Sequence, residues 1–249
     1  VLKKKATQYD MSKKQIELTA LLKANGATEV GFADLRNLSG KSSSDYATGI
    51  SILVKINPDV ISEIKAGPTQ KYCNEYKRIN NFLDDLADTA SEYLITQGYI
   101  AHKTSSTIKT EDLYKDFHIL PHKTSATLSG LGWIGKCALL VTEKYGSAVR
   151  LTTVYTNALF DCGNPTVTSN CGSCSICVKR CPGKAISGKN WQPGVKREDI
   201  FDMRLCRDSI FDLSIDQLKL DAAVCGICIA NCPYTQKYIK NKTQITNIK

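Results

Sequence analysis

Apolar and polar positions alternate along roughly the first two thirds of the chain in two rhythms, one of period 3.6 and one of period two. Leu18, Leu21 and Leu22 share one face of a helix that the capping-box spacing of Ser12 and Gln15 starts and Gly26 stops. Glu29 to Ala33 reads as a short strand, and Gly49 to Ile56 as a clearer one, with Ile50, Ile52, Val54 and Ile56 alternating. Tyr72, Tyr76, Ile79, Leu83, Leu86 and Ala90 then recur at helical spacing until Gly98, and Tyr99 to Ala101 supplies the next strand. The tyrosines of that helix are read as core and rim rather than as a ligand box. Ala138 to Thr142 and Val149 to Tyr155 are two more apolar stretches, separated by Glu143-Lys144-Tyr145-Gly146-Ser147, a segment of hairpin-loop length.

This alternation of helices and strands predicts an α/β (α+β) layer domain over residues 1–160. After Phe160 the pattern stops: Asp161 to Asn170 holds Gly, Pro, Ser and Thr without periodicity and reads as a linker. A cysteine-rich segment follows, so that residues 161–236 form a second domain, and Lys237 to Lys249 reads as a polar basic tail.

With 249 residues and 42% apolar content the chain suits a soluble globular protein with a sizeable core. No apolar run approaches the ~18 residues of a membrane span. The lysine-rich opening residues, Val1 to Lys14, lack the apolar stretch of a secretory signal, so a cytoplasmic protein without membrane contact is expected. Eight of the eleven cysteines lie between positions 171 and 232, mostly two or three residues apart. Such neighbours make poor structural disulfides and good metal ligands in a reducing compartment.

Cys171-x2-Cys174-x2-Cys177-x3-Cys181-Pro182 is the bacterial ferredoxin run, in which three cysteines cap one cubane and the fourth points to the other. Cys225-x2-Cys228-x3-Cys232-Pro233 repeats the pattern with one member missing, and Cys206 is the nearby cysteine available to complete it. The spacing therefore predicts two [4Fe-4S] clusters, one on Cys171, Cys174, Cys177 and Cys232, the other on Cys181, Cys206, Cys225 and Cys228. A pair of structural zinc sites is the alternative, since paired C-x2-C elements also bind zinc, although zinc has no need of the Cys-Pro endings. Cys73, Cys137 and Cys162 are isolated in sequence and read as apolar fillers. Two clusters at about −2 each lower the formal charge from +9 to roughly +5. The remaining basic surplus suits an acidic protein partner, a phosphate-bearing ligand or a nucleic acid, or simply aids solubility.

Gly130-Leu131-Gly132-Trp133-Ile134-Gly135 matches G-x-G-x-x-G, but Ser125 to Ser129 is a poor strand and Lys136 to Val141 is too short and β-rich for a phosphate-binding helix. The alternative to a dinucleotide site is a loop whose backbone approaches something flat or bulky. Ser129 to Lys136, continued by Leu139-Leu140 and by Tyr145-Gly146-Ser147, resembles the core signature of the epoxyqueuosine reductases, and the double-cluster segment 171–233 resembles the same family. Those enzymes are cobalamin-dependent tRNA-modifying reductases, related to the reductive dehalogenases, with an N-terminal corrinoid-binding domain beside a ferredoxin-like one.

The resemblance implies cobalamin as a further cofactor, with Gly130, Gly132, Trp133, Gly135 and Lys136 forming its loop. It implies Asp116 as the catalytic proton donor, with Tyr114 close by, reduced ferredoxin or flavodoxin as electron donor, and tRNA as a possible partner. His122-Lys123 stands where those reductases carry Glu-Arg, and the seventeen residues after Cys232 are too few for the helical-repeat domain that contacts tRNA in many of them, so a short form is expected. Asp116-Phe117-His118 matches the start of the corrinoid motif D-x-H-x-x-G, but Pro121 occupies the glycine position and His118 reads as a loop histidine. The expected function is an iron-sulfur oxidoreductase that reduces a bound corrinoid. A redox partner or activase without substrate chemistry is the alternative, and a plain electron carrier leaves the N-terminal domain without a task.

Overall fold

The first helix, α1 (Leu2–Ala24), begins well ahead of Ser12 and ends where Gly26 requires. Leu18 and Leu22 are fully buried, and Gly26, at φ +96°, lets the Ala27 N–H reach back to the Leu22 carbonyl at 2.9 Å. Ser12 sits inside the helix rather than capping it. Gln15 has a long-range task instead: its carboxamide donates to the Asp161 carbonyl at 2.9 Å and accepts from the Asp161 N–H at 2.8 Å. The molecule is seen as a computed structural model that describes residues 2–36, 46–106, 120–220 and 222–246.

Strands β1 (Glu29–Asp34) and β2 (Thr48–Lys55) pair antiparallel, with Glu29 opposite Leu53 and Asp34 opposite Thr48. Helices α2 (Pro58–Ser62) and α3 (Gln70–Thr96) follow, then β3 (Ala101–Thr104), two residues later than its apolar signal because Gly98 turns the chain at φ +83°. Next come α4 (His122–Leu128), the two-residue strands β4 (Trp133–Ile134) and β5 (Leu140–Val141), and β6 (Val149–Thr156). The main sheet has the order β1-β2-β6-β3. Its inner strand β2 is buried from Thr48 to Val54, and its polar members are hydrogen-bonded: Ser51 to Ser125 at 2.9 Å and Thr48 to the Ala158 carbonyl at 2.7 Å.

The expected hairpin between positions 138 and 155 does not form. β5 pairs with β4, Trp133 opposite Val141, whereas β6 pairs antiparallel with β3 in the main sheet. The intervening loop closes on itself through the Thr142 and Gly146 backbones at 2.8 and 3.0 Å. A strand as buried as β6 needs neighbours on the sheet, and its apolar pattern specifies burial without specifying the partner.

The chain forms two compact units, neither continuous in sequence: Val1–Val54, Asn80–Leu131 and Arg150–Pro165 make one, and Lys55–Ile79, Gly132–Val149 and Thr166–Lys249 the other. In the first, Leu83, Leu86, Ala90 and Leu94 of α3 are buried, and a side chain at Gly26 would collide with Phe82. Residues 161–165, expected to begin a linker, are instead fixed there: besides the Gln15 clamp, the Gly163 N–H donates to the Phe32 carbonyl at 2.9 Å.

The second unit contains α5 (Ile176–Arg180), α6 (Arg197–Ile200), α7 (Met203–Ile210) running into a π-helical stretch over 211–217, α8 (Ile227–Ala230) and α9 (Pro233–Thr246). The supposed basic tail is thus helical through Thr246. It is held because α2 packs on α9 and the Tyr238 hydroxyl, itself buried, donates to the Ile56 carbonyl at 3.0 Å. Among the described residues no helix is long and apolar enough to cross a membrane.

His122 opens α4 with both ring nitrogens engaged, at 3.0 Å from Thr153 Oγ1 and 3.0 Å from the Ser105 carbonyl. Burial holds its pKa below the ordinary imidazole value, so the neutral ring is the form that fits. Because the folded-state value is depressed, the stability contribution is complete above the unfolded value of about 6.5 and is lost as pH falls through the folded value. Thermal melts across that range should show a falling midpoint on acidification, with a shallower slope in His122→Gln.

Candidate metal centres

Short helices and tight turns present the clustered cysteines. A turn closed by the Cys174 N–H and the Cys171 carbonyl at 3.0 Å, with Gly172 at φ +50°, opens the first run. Cys177 lies in α5, and Cys181 leaves its end in extended conformation. The Asp202 carboxylate accepts from the Leu205 N–H at 3.0 Å and caps α7, which carries Cys206. Gly226, at φ +77°, turns the chain from Cys225 into α8 with Cys228, and Cys232 precedes α9.

α5 packs on α8, and the two runs cross. Cys181 from the first run lines a cavity of about 170 Å³ with Cys206, Cys225 and Cys228 from the second, between apolar walls that include Ile186, Phe201 and Ile227. Cys232 in turn lies within electrostatic reach of Cys171, and the neighbouring Tyr234 within reach of Cys171, Cys232 and Cys174. All eleven cysteines are free of disulfides. Among the described residues no three Cys, His, Asp or Glu side chains converge on a single-ion site. A zinc ion draws its sulfurs to about 2.3 Å of one point, whereas a cubane places one thiolate at each of four corners.

The surroundings suit the same group. Burial pushes the Cys206 thiol up to about 11, with Cys181 and Cys225 adding to the effect. Burial also raises Cys225 and Cys232, against backbone amides at Ile227 and at Thr235 and Tyr234 that favour the thiolate. The Ala185 N–H donates to Cys181 Sγ at 3.4 Å. The raised values of Cys206, Cys225 and Cys232 favour the thiol at neutral pH until a metal displaces the proton, and amides aimed at sulfur are what a cluster accepts. Among the described residues two buried side-chain polar atoms lack partners, Trp133 Nε1 and Ser147 Oγ, and both residues adjoin the turn after Cys232. Trp133 stands edge-on to Tyr234 at 4.9 Å, and the Ser147 N–H donates to Thr235 Oγ1 at 3.1 Å. Sulfur acceptors held by Cys232 match both donors in kind.

The glycine loop has no strand before it and no helix after it: α4 precedes it and β4 lies inside it. A methyl at Gly130, which has φ +75°, would meet the Asn164 carbonyl oxygen at 2.6 Å, one at Gly132 would strike the Val141 carbonyl, and one at Gly135 would meet a Val141 methyl at 2.7 Å. What these glycines approach is the chain's own backbone and side chains. Trp133 is 1% exposed, and Lys136, 6% exposed, has no carboxylate partner among the described residues. Cys137, taken from sequence as a filler, is buried against Cys177 and Cys228; its isolation in the chain gave no spacing signal. Asp116, Tyr114 and His118 lie outside the described residues.

Gly132→Ala must displace backbone of the β4–β5 pair, so a loss of about 1–3 kcal/mol is expected. Gly67→Ala, with only a Leu218 methyl at 3.9 Å, should stay within about 0.5 kcal/mol, and denaturant midpoints compare the two.

The family profile "4Fe-4S double cluster binding domain" matches residues 170–235. The chain is 31% identical to an epoxyqueuosine reductase of Synechocystis sp. over 134 residues, 50% of this chain and 43% of that protein. It is 44% identical to one of Listeria monocytogenes over 118 residues, 45% of this chain and 28% of that protein. These matches span less than half the length of either relative. A catabolic reductive dehalogenase superposes with a TM-score of 0.70 at 15% identity over 96% of this chain and 34% of that one. An epoxyqueuosine reductase solved with a modified tRNA-Tyr stem loop does so with 0.58 at 19% identity over 89% of this chain and 65% of that one. The mixed helix-and-sheet fold is therefore shared with both enzyme groups, and over about half of its length the chain is similar in sequence to epoxyqueuosine reductases, with a 4Fe-4S double cluster binding domain over residues 170–235.

Proposed function

We propose that the chain is an iron-sulfur reductase that passes electrons through two [4Fe-4S] clusters to a bound corrinoid, for reductive chemistry on a nucleoside-type substrate. The observation that carries this reading is the cavity where Cys181 of one run meets Cys206, Cys225 and Cys228 of the other. It supports one cluster on those four residues and the second on Cys171, Cys174, Cys177 and Cys232. Each cluster exchanges one electron at a time, and two held by crossed runs make a relay.

A corrinoid supplies the metal centre at which a carbon–oxygen or carbon–halogen bond is reductively cleaved. One reductive dehalogenase of this fold has been examined for B12-dependent dehalogenation, and the Synechocystis and Listeria relatives are epoxyqueuosine reductases. Lys136 is the loop residue whose surroundings favour such a ligand: a buried lysine with no carboxylate partner among the described residues gains from a carbonyl or phosphate oxygen. Gly130, Gly132 and Gly135 set the shape of the loop, and Trp133 braces it against Tyr234. Asp116 is the proposed proton donor, since opening an oxygen-bearing ring consumes a proton as well as electrons.

A wider cavity of about 780 Å³, with Lys55, Arg78 and Lys144 among its lining residues, supports a phosphate-bearing ligand such as a nucleoside within tRNA. The net charge of +9 favours an acidic donor such as reduced ferredoxin or flavodoxin.

Anaerobic reconstitution should give about eight irons per chain, and Cys206→Ala about four. Cobalamin titrated into the reconstituted protein should be retained on desalting and change its visible spectrum to the base-off form; loss of all cobalamin would sink the corrinoid reading and leave an electron-transfer partner. Asp116→Asn should retain iron and cobalamin while lowering turnover of an epoxide-bearing nucleoside about 10²-fold or more.

A further inference from the structure

Nine cysteines, not eight, gather around the crossed runs. Cys137 is 6% exposed and shares an apolar nucleus with Cys181, Ala185 and Ile186, against which Cys177, Cys206 and Cys228 pack. It also lines the 170 Å³ cavity beside Cys181, Cys206, Cys225 and Cys228. Cys177 and Cys228, one from each run, pack against the nucleus that holds Cys137 and lie within electrostatic reach of its thiol. A methyl at Gly135 would sit 3.5 Å from Cys171 Sγ and 3.6 Å from Cys137 Sγ, so the glycine leaves the space between these sulfurs clear.

The backbone that presents Cys137 is strained. Ala138 has φ +56°, a left-handed conformation that costs a non-glycine residue about 1 kcal/mol or more. Its N–H donates to the Gly135 carbonyl at 2.8 Å, closing a turn that carries Cys137 between the two helices. A strained turn holding a buried thiol against two ligand candidates points to a role beyond filling space.

When clusters occupy both sites, Cys177 and Cys228 are thiolates and carry no proton. The Cys137 S–H is then a single hydrogen-bond donor between two anionic sulfurs, and it can satisfy only one of them well at a time. A donor to a ligand sulfur stabilises the more negative, reduced state of that cluster and so raises its potential.

We propose that Cys137 is a positioning residue shared by the two clusters, its thiol donating to Cys177 or to Cys228 according to which cluster holds the electron. The first reduction is thereby favoured at either site, and the second, which finds the donor already committed, gains less. This rests on the two-cluster reading given above.

The test uses the full chain with both clusters reconstituted, as wild type, Cys137→Ala and Cys137→Ser. Iron is counted, and reduction is followed by EPR-monitored potentiometric titration. Cys137→Ala should keep about eight irons. Its first midpoint should move to lower potential by about tenfold in the ratio of reduced to oxidised cluster, about 59 mV for one electron, with the two midpoints drawn closer together. Cys137→Ser, which keeps a donor of similar size, should recover most of the shift. It should also retain a strongly coupled exchangeable proton in hyperfine spectra of the reduced protein that the alanine variant lacks.

Unchanged midpoints in an alanine variant with full iron content would overturn the proposal. So would a drop to about four irons in that variant, because Cys137 would then be a ligand in its own right. If the wild-type chain assembles no clusters, the two-cluster reading fails and this proposal fails with it. Should the alanine variant not fold, the serine variant decides alone: an unshifted midpoint with its exchangeable proton present is the supporting result, and absence of that proton is the opposing one.

Discussion

The contact between α5 and α8 is the one on which the metal-binding half of the molecule depends. Each is only about a turn long, too short to persist alone in water, and each has a cysteine within it and another just beyond its end. Packing them together carries Cys181 over to the second run and Cys232 back to the first. The result is a set of clustered thiols in a shell of aliphatic side chains and aimed amides, with burial raising Cys206, Cys225 and Cys232. That combination favours a bound metal centre, because metal coordination converts these groups to thiolates without leaving an isolated charge in an apolar site.

Segments far upstream in sequence hold this arrangement in place. A side chain at Gly226 would strike Ile64 and Tyr72, one at Gly146 would strike Thr235, and Trp133 braces Tyr234. Asn231 donates to the Lys65 carbonyl at 2.9 Å, tying the end of α8 to the residues after α2. The other unit has a different logic: an antiparallel sheet whose inner strand is buried, with its polar side chains paired internally and α1 and α4 packed on β1.

The elements themselves were largely legible in the sequence, because burial imposes its period on the residue pattern. Glu29 to Ala33, Gly49 to Ile56 and the stripe from Tyr72 to Ala90 all became the expected kind of structure within a few positions. Pairing was not legible: the same alternation serves β6 in a sheet and in a hairpin, and only three-dimensional neighbours decide. Ser12 and Gln15 matched a cap by spacing, yet nothing local reveals that Gln15 grips Asp161, 146 positions away. Clustered cysteines were conspicuous because a cubane demands close spacing within a loop. The placing of Cys137 was invisible for the opposite reason, since a buried residue that packs against the clustered cysteines has no obligatory distance from them in sequence.

The interleaving of the two units bears on how such proteins diversify. A self-contained electron carrier can be inherited as a cassette, copied and joined to new partners. Here the cysteine-bearing unit borrows Lys55–Ile79 and Gly132–Val149 from the earlier part of the chain, and Gly226 and Thr235 are seated against those borrowed pieces. Recombination that moved only the cysteine-rich stretch would leave those seats empty. Lineages with this architecture are therefore constrained to vary by substitution within the whole and by additions outside it, rather than by shuffling its redox half.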